Sequence, residues 1–66
     1  MSDANELSDK LIEERLKTRA GMAKAVWYCA DYLHDVNRHY NGRSTPEMQA
    51  RIERVLFAVY VELSKP

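Results

Sequence analysis

Between residues 22 and 40 the polar positions Lys24, Tyr28, Asp31, Asp35 and Arg38 recur at steps of four and three, which is the period of an α-helix. The surface left between them is a wide apolar face made of Met22, Ala25, Val26, Cys29, Ala30, Leu33, Val36 and Tyr40. Further on, Met48, Ile52, Val55, Val59 and Leu63 form a second stripe of the same period, widened by Leu56 and Tyr60. From Val55 to Val61 the chain is apolar on nearly every side. That run has strand propensity. The helix-forming Glu47–Arg54 segment leads into it with no turn signal between, so the pattern predicts a helix over 46–64.

The boundary between these two helices is Tyr40-Asn-Gly-Arg-Ser-Thr-Pro46. Asn41-Gly42 offers the left-handed residue that ends a helix. Thr45 and Pro46 then suit the N-cap and the first helical position, where the missing proline N–H costs nothing. Ser44 with Glu47 offers an alternative start as a capping box.

In the first twenty residues Leu7, Leu11, Ile12, Leu16 and Ala20 are spaced for a helix, giving a segment over about 4–20. A seam of Ile12, Leu16, Ala23, Val26, Ala30, Leu33 and Tyr40 runs on in heptad register across Gly21. A glycine inside a helix costs about 1 kcal/mol against alanine without forbidding it. With no good cap immediately before Met22, the reading favours one long, kinked helix over separate segments 4–20 and 22–40.

The fold class expected is therefore all-α: one domain spanning 1–66, an antiparallel helical hairpin with an additional N-terminal helical segment. Folding about Arg43 sets Leu33 near Ile52 or Glu53, Ala30 near Leu56, Val26 and Trp27 near Val59 and Tyr60, and Ala23 near Leu63. Small residues would then oppose large ones and allow close approach. A hairpin covers one side of each helix, and these apolar faces are wider than that. Since monomers rarely expose contiguous apolar patches beyond a few hundred Å², the sequence predicts a homodimer closing into a helical bundle. The expected interface residues are Val26, Trp27, Leu33, Val55, Leu56, Phe57, Val59 and Tyr60. Asn37 falls on the heptad seam, where it would fix register, or near the helix end, where it would be solvated.

Size and charge sharpen this picture. A chain of 66 residues buries only about 60% of its unfolded surface, and its one cysteine, Cys29, forms no internal bridge. Association is the remaining support. Ten basic residues balance ten acidic ones, and the thirds 1–20, 21–40 and 41–66 carry −1, 0 and +1. No segment has the dense positive charge typical of nucleic-acid or anionic-membrane binding. The acidic start Met1–Glu6 has no apolar run after it and does not read as a signal peptide. The longest apolar stretch, Val55–Val61, falls far short of the ~20 residues that span a bilayer. The expectation is a cytoplasmic protein without membrane attachment.

Three groups of residues bear on chemistry. Asp31, Asp35 and His39 lie four apart on one helical face and are weak metal candidates; Asp31 and His34 also have the i,i+3 spacing seen in di-metal bundles. Because Asp31 and Asp35 stand on the polar stripe, a solvated charged face is the stronger reading. Arg38, Arg43, Arg51 and Arg54 gather around the 41–46 turn and are weak nucleic-acid candidates. The flanking helices are long and antiparallel, however, whereas a DNA-reading helix–turn–helix joins short helices steeply. Cys29 stands on the apolar face, where a structural thiol is expected rather than a nucleophile. The aromatics Trp27, Tyr28, Tyr32, Tyr40 and Tyr60 suit a helix–helix or subunit interface better than a ligand pocket.

No motif names a reaction or a cofactor. The functional expectation is a small non-enzymatic interaction module, a homodimeric regulator or adaptor acting through its helix faces and open to a protein partner. The alternatives are a nucleic-acid-binding regulator using the arginines around the turn, and a small metal- or ligand-binding helical bundle.

Overall fold

In the computed structural model, which describes residues 3–39 and 44–65, the chain forms a short helical turn α1 (Asp3–Glu6) and three helices, α2 (Asp9–Arg15), α3 (Arg19–His39) and α4 (Pro46–Leu63). The all-helical class expected from periodicity is what the described residues show; none of them is in a strand. The Asn41–Gly42 helix stop lies outside the described residues. No described helix is long and apolar enough to cross a membrane.

Each helix start is satisfied by a hydroxyl at its cap. Thr45 accepts a hydrogen bond at Oγ1 from the Met48 amide at 3.1 Å, with Pro46 opening the helix. Thr45, not a Ser44–Glu47 box, is thus the cap, and the Ser44 hydroxyl instead meets the Tyr32 hydroxyl at 3.0 Å. Ser8 caps α2 by accepting from Leu11 N–H at 3.4 Å. Thr18 accepts from Gly21 N–H at 2.9 Å at the start of α3. These contacts cover amides that a helix N-terminus otherwise leaves unpaired.

The N-terminal half departs from a single long helix. Residues 4–20 divide into α1, α2 and the beginning of α3, and the main break is at residues 16–18, not at Gly21. Gly21 belongs to the first turn of α3. A Cβ built there would lie 2.9 Å from the Arg15 carbonyl carbon and Cα, so the glycine is a point of close backbone approach between α3 and the end of α2. The cap that justifies a fresh helix start is Thr18, four residues before Met22 rather than immediately next to it.

Leu7, Ile12, Ala25, Cys29, Met48, Ile52 and Val55 form the core, with Leu16, Val26, Tyr28, Tyr32 and Val59 packed against it. The N-terminal segment therefore supplies two of the fully buried side chains, Leu7 and Ile12. Their presence turns Ala25 and Cys29 of α3 inward; Val36 is buried as well, while Ala23, Ala30 and Leu33 are exposed. The expected packing of Ala30 on Leu56 inside one chain is corrected accordingly, since both are exposed, as are Phe57 and Tyr60; Ala23 and Leu63 do line one groove. Polar contacts tie the helices at their ends. The Arg19 guanidinium lies 3.7 Å from the Glu62 carboxylate, Tyr32 meets Ser44, and Arg51 pairs with Asp9 at 3.2 Å.

Candidate interaction surface

On α4, Leu56, Tyr60 and Leu63 recur at steps of four and three, forming a stripe directly beside the inward-facing stripe of buried Ile52 and Val55 and half-buried Val59. Phe57 and Val61, four apart, carry the apolar surface further round. Phe57, Tyr60 and Leu63 are each about two-thirds exposed. Such a nearly all-round apolar helix is normally covered on several sides, yet here one sector alone meets the core.

The exposed sector of α3 has an apolar centre, bordered by Lys24, Asp31 and His34. Ala20, Ala23, Trp27, Ala30 and Leu33 share it, with the half-buried Val26 alongside. Trp27 is 61% exposed, and its ring meets that of Tyr28 edge-on, with centroids 5.1 Å apart. Between α3 and α4 runs a groove of about 350 Å³ lined by Met22, Ala23, Val26, Val59 and Leu63, with Arg19 and Glu62 supplying its polar atoms. The groove brings Ala23 and Val26 of α3 beside Val59 and Leu63 of α4.

Of the eight residues expected at an interface, Trp27, Leu33, Leu56, Phe57 and Tyr60 are exposed, while Val26 and Val59 sit half-buried at the groove. Val55 is the correction. It is fully buried in the chain's own core and offers no surface. Periodicity missed Leu63 and Val61 as surface residues; the excess width of the α4 apolar face was the signal available. Asn37 is exposed, and Tyr28 and Tyr32 pack against the core.

The other candidate groups do not assemble into sites among the described residues. No group of three His, Cys, Asp or Glu side chains is placed to hold a metal; Asp31 is half-buried and Asp35 exposed, and the His39 side chain lies outside the described part. Arg51 and Arg54 share a shallow depression of about 370 Å³ with Asp9 and Glu47. Acidic neighbours offset its charge, and Arg51 is already committed to Asp9 at 3.2 Å. Arg38 is exposed on α3, and Arg43 lies outside the described residues.

Cys29 is 2% exposed. Burial pushes its thiol pKa upward, the opposite of the depression that activates a nucleophilic cysteine. A well-built polar cluster at the N-terminal end is structural: Arg15 donates to the Glu6 carboxylate at 2.9 Å and to the Glu6 carbonyl at 2.7 Å, and its guanidinium carbon stands 4.6 Å from the Tyr28 ring centroid. No protein-family model, curated protein or solved structure matches this chain.

Proposed function

We propose that this chain is a small helical interaction module, a non-enzymatic regulator or adaptor that works as a homodimer through the outer faces of α3 and α4. The observation that carries the reading is the set of exposed apolar side chains, Trp27 on α3 and Leu56, Tyr60 and Leu63 on α4, with an apolar-lined groove between the two helices. A fully exposed aromatic side chain presents about 150–250 Å². Trp27 and Tyr60, each more than three-fifths exposed, thus leave roughly 190–320 Å² open before any aliphatic group is added. With Leu33, Leu56 and Leu63, also exposed, the surface enters the range of the largest patch on an ordinary monomer, about 300–600 Å².

Two further features support association. The accessible surface of 4975 Å² exceeds the ~4,300 Å² typical of a folded monomer of this mass. The zero formal charge places no net repulsion between like copies. The antiparallel hairpin belongs to the same reading, supported by the contacts from Arg19 near the start of α3 to Glu62 near the end of α4, and from Tyr32 to Ser44 before α4. A buried free thiol suits a reducing, cytoplasmic setting.

Sedimentation velocity from low to high micromolar concentration tests the proposal. A concentration-dependent monomer–dimer equilibrium is expected. A single monomeric species throughout that range overturns it.

A further inference from the structure

We infer that the dimer is built on α3, with two copies of this helix crossing antiparallel at a two-fold axis that passes between Val26 and Trp27. The inference rests on the homodimer reading above and names the surface and register it uses. A two-fold interface must be self-complementary, so that if residue i meets residue j, then j meets i. An axis at this point sets Ala23 against the second copy's Ala30, Ala20 against its Leu33, and Val26 against its Trp27. Every large exposed side chain on the sector thereby meets a smaller one, and alanines meet on both sides of the axis.

All of these residues are exposed except the half-buried Val26, so the pairing uses surface the chain's own core leaves open. The alanines allow the helix axes to approach toward the short end of the usual range of about 8–10 Å. Trp27 then projects over the second copy's groove beside Ala23 and Val26, a cavity of about 350 Å³ whose far wall is Val59 and Leu63. Leu56, Tyr60 and Leu63 flank that groove on α4.

A second copy fits this surface because the centre of the sector pairs only Ala20, Ala23, Val26, Trp27, Ala30 and Leu33, while the ionisable Lys24 and Asp31 border it and Arg19 and His34 stand at its ends. The area is also of the right order. Trp27, Tyr60 and the neighbouring Leu33, Leu56 and Leu63 supply several hundred Å² toward the ~800 Å² per partner of a standard interface. Phe57, by contrast, sits on the side of α4 opposite Val59 and faces away from the groove.

The test uses the full chain. Trp27→Glu is expected to raise the dimer dissociation constant by at least about tenfold, as loss of a central tryptophan anchor does. Phe57→Glu should leave it within about threefold. Circular dichroism reports whether each variant keeps its helices. Independently of any loss of association, chains carrying Ala23→Cys and chains carrying Ala30→Cys are oxidised separately and as a mixture. The antiparallel register predicts efficient 23–30 cross-linking in the mixture and little cross-linking in either chain alone. A dimer that keeps its affinity with Trp27→Glu, or that links 23 to 23 as readily as 23 to 30, overturns this inference while leaving the homodimer standing. A wild-type chain that stays monomeric overturns both.

Discussion

Gly21, in the first turn of α3, lies against the backbone of Arg15 at the end of α2, so closely that a Cβ would stand 2.9 Å from the Arg15 Cα. This contact allows α2 to fold back onto the start of α3 and deliver Ile12 to the core. Two effects compete at this site. Alanine gains about 1 kcal/mol of helix propensity over glycine. Its methyl group, however, meets main chain, which cannot rotate away as a flexible side chain can, and overpacking of this kind typically costs about 1–3 kcal/mol. Gly21→Ala is therefore expected to destabilise on balance. In a domain of this size each kcal/mol shifts Tm by about 4–8 °C, so a thermal melt resolves the sign. A raised Tm would mean that α2 does not pack on α3 this closely.

Arg15 joins three elements at once, holding the Glu6 side chain and carbonyl while lying over Tyr28. Its hydrogen bond to the Glu6 carboxylate, aided by its charge, lowers the Glu6 pKa below the ordinary value of 4.5. A carboxylate whose pKa is depressed by folding adds stability above its unfolded pKa and loses it as pH falls through the lower folded value. The native chain should thus show a component of acid destabilisation below about pH 4.5 that is absent from Glu6→Gln. Arg15→Lys should keep the charge but lose the two-pronged geometry and the stacking on Tyr28. Urea midpoints compared between neutral and acid pH measure both. Equal acid sensitivity in the native chain and Glu6→Gln would show that the Glu6–Arg15 contact carries no linkage.

Cys29 is expected to be inert in the folded chain. Its thiol is buried, and burial raises its pKa above the ordinary 9.0. A raised pKa means that the associated stability is fully present below the unfolded value and is lost as pH rises through the folded one. At mildly alkaline pH a thiol reagent should therefore modify the native chain at least ~100-fold more slowly than the denatured chain, through opening of the fold. Urea below the unfolding midpoint should accelerate the reaction. Native and denatured rates that coincide would place Cys29 on the surface.

Local chemistry made several features readable from the chain. The start of α4 rests on Thr45 and Pro46, whose cap geometry involves only neighbours in sequence. The helical period of residues 22–40 and 46–64 follows from the spacing of polar positions, and the burial of Cys29 from its place on an apolar face. The break at residues 16–18 was less visible, because its signal is a single threonine, Thr18, bonding to the Gly21 amide. Gly21 itself reads as a helix breaker in one dimension and proves to be a packing contact in three.

Periodicity shows that an apolar face exists and how wide it is; it cannot show which sector of a wide face turns inward. On α3 that choice falls to Ala25 and Cys29, because Leu7 and Ile12 arrive from the N-terminal helices and pack on that side. Val26 and Leu33, one sector over, are left at the groove and in solvent. On α4 the same selection buries Val55 and exposes its neighbours Leu56 and Phe57. Helix type, start and period are properties of adjacent residues, so they can be read along the chain. The rotation of each helix about its axis depends on volumes contributed from distant positions, and that rotation is what leaves Trp27, Tyr60 and Leu63 on the outside.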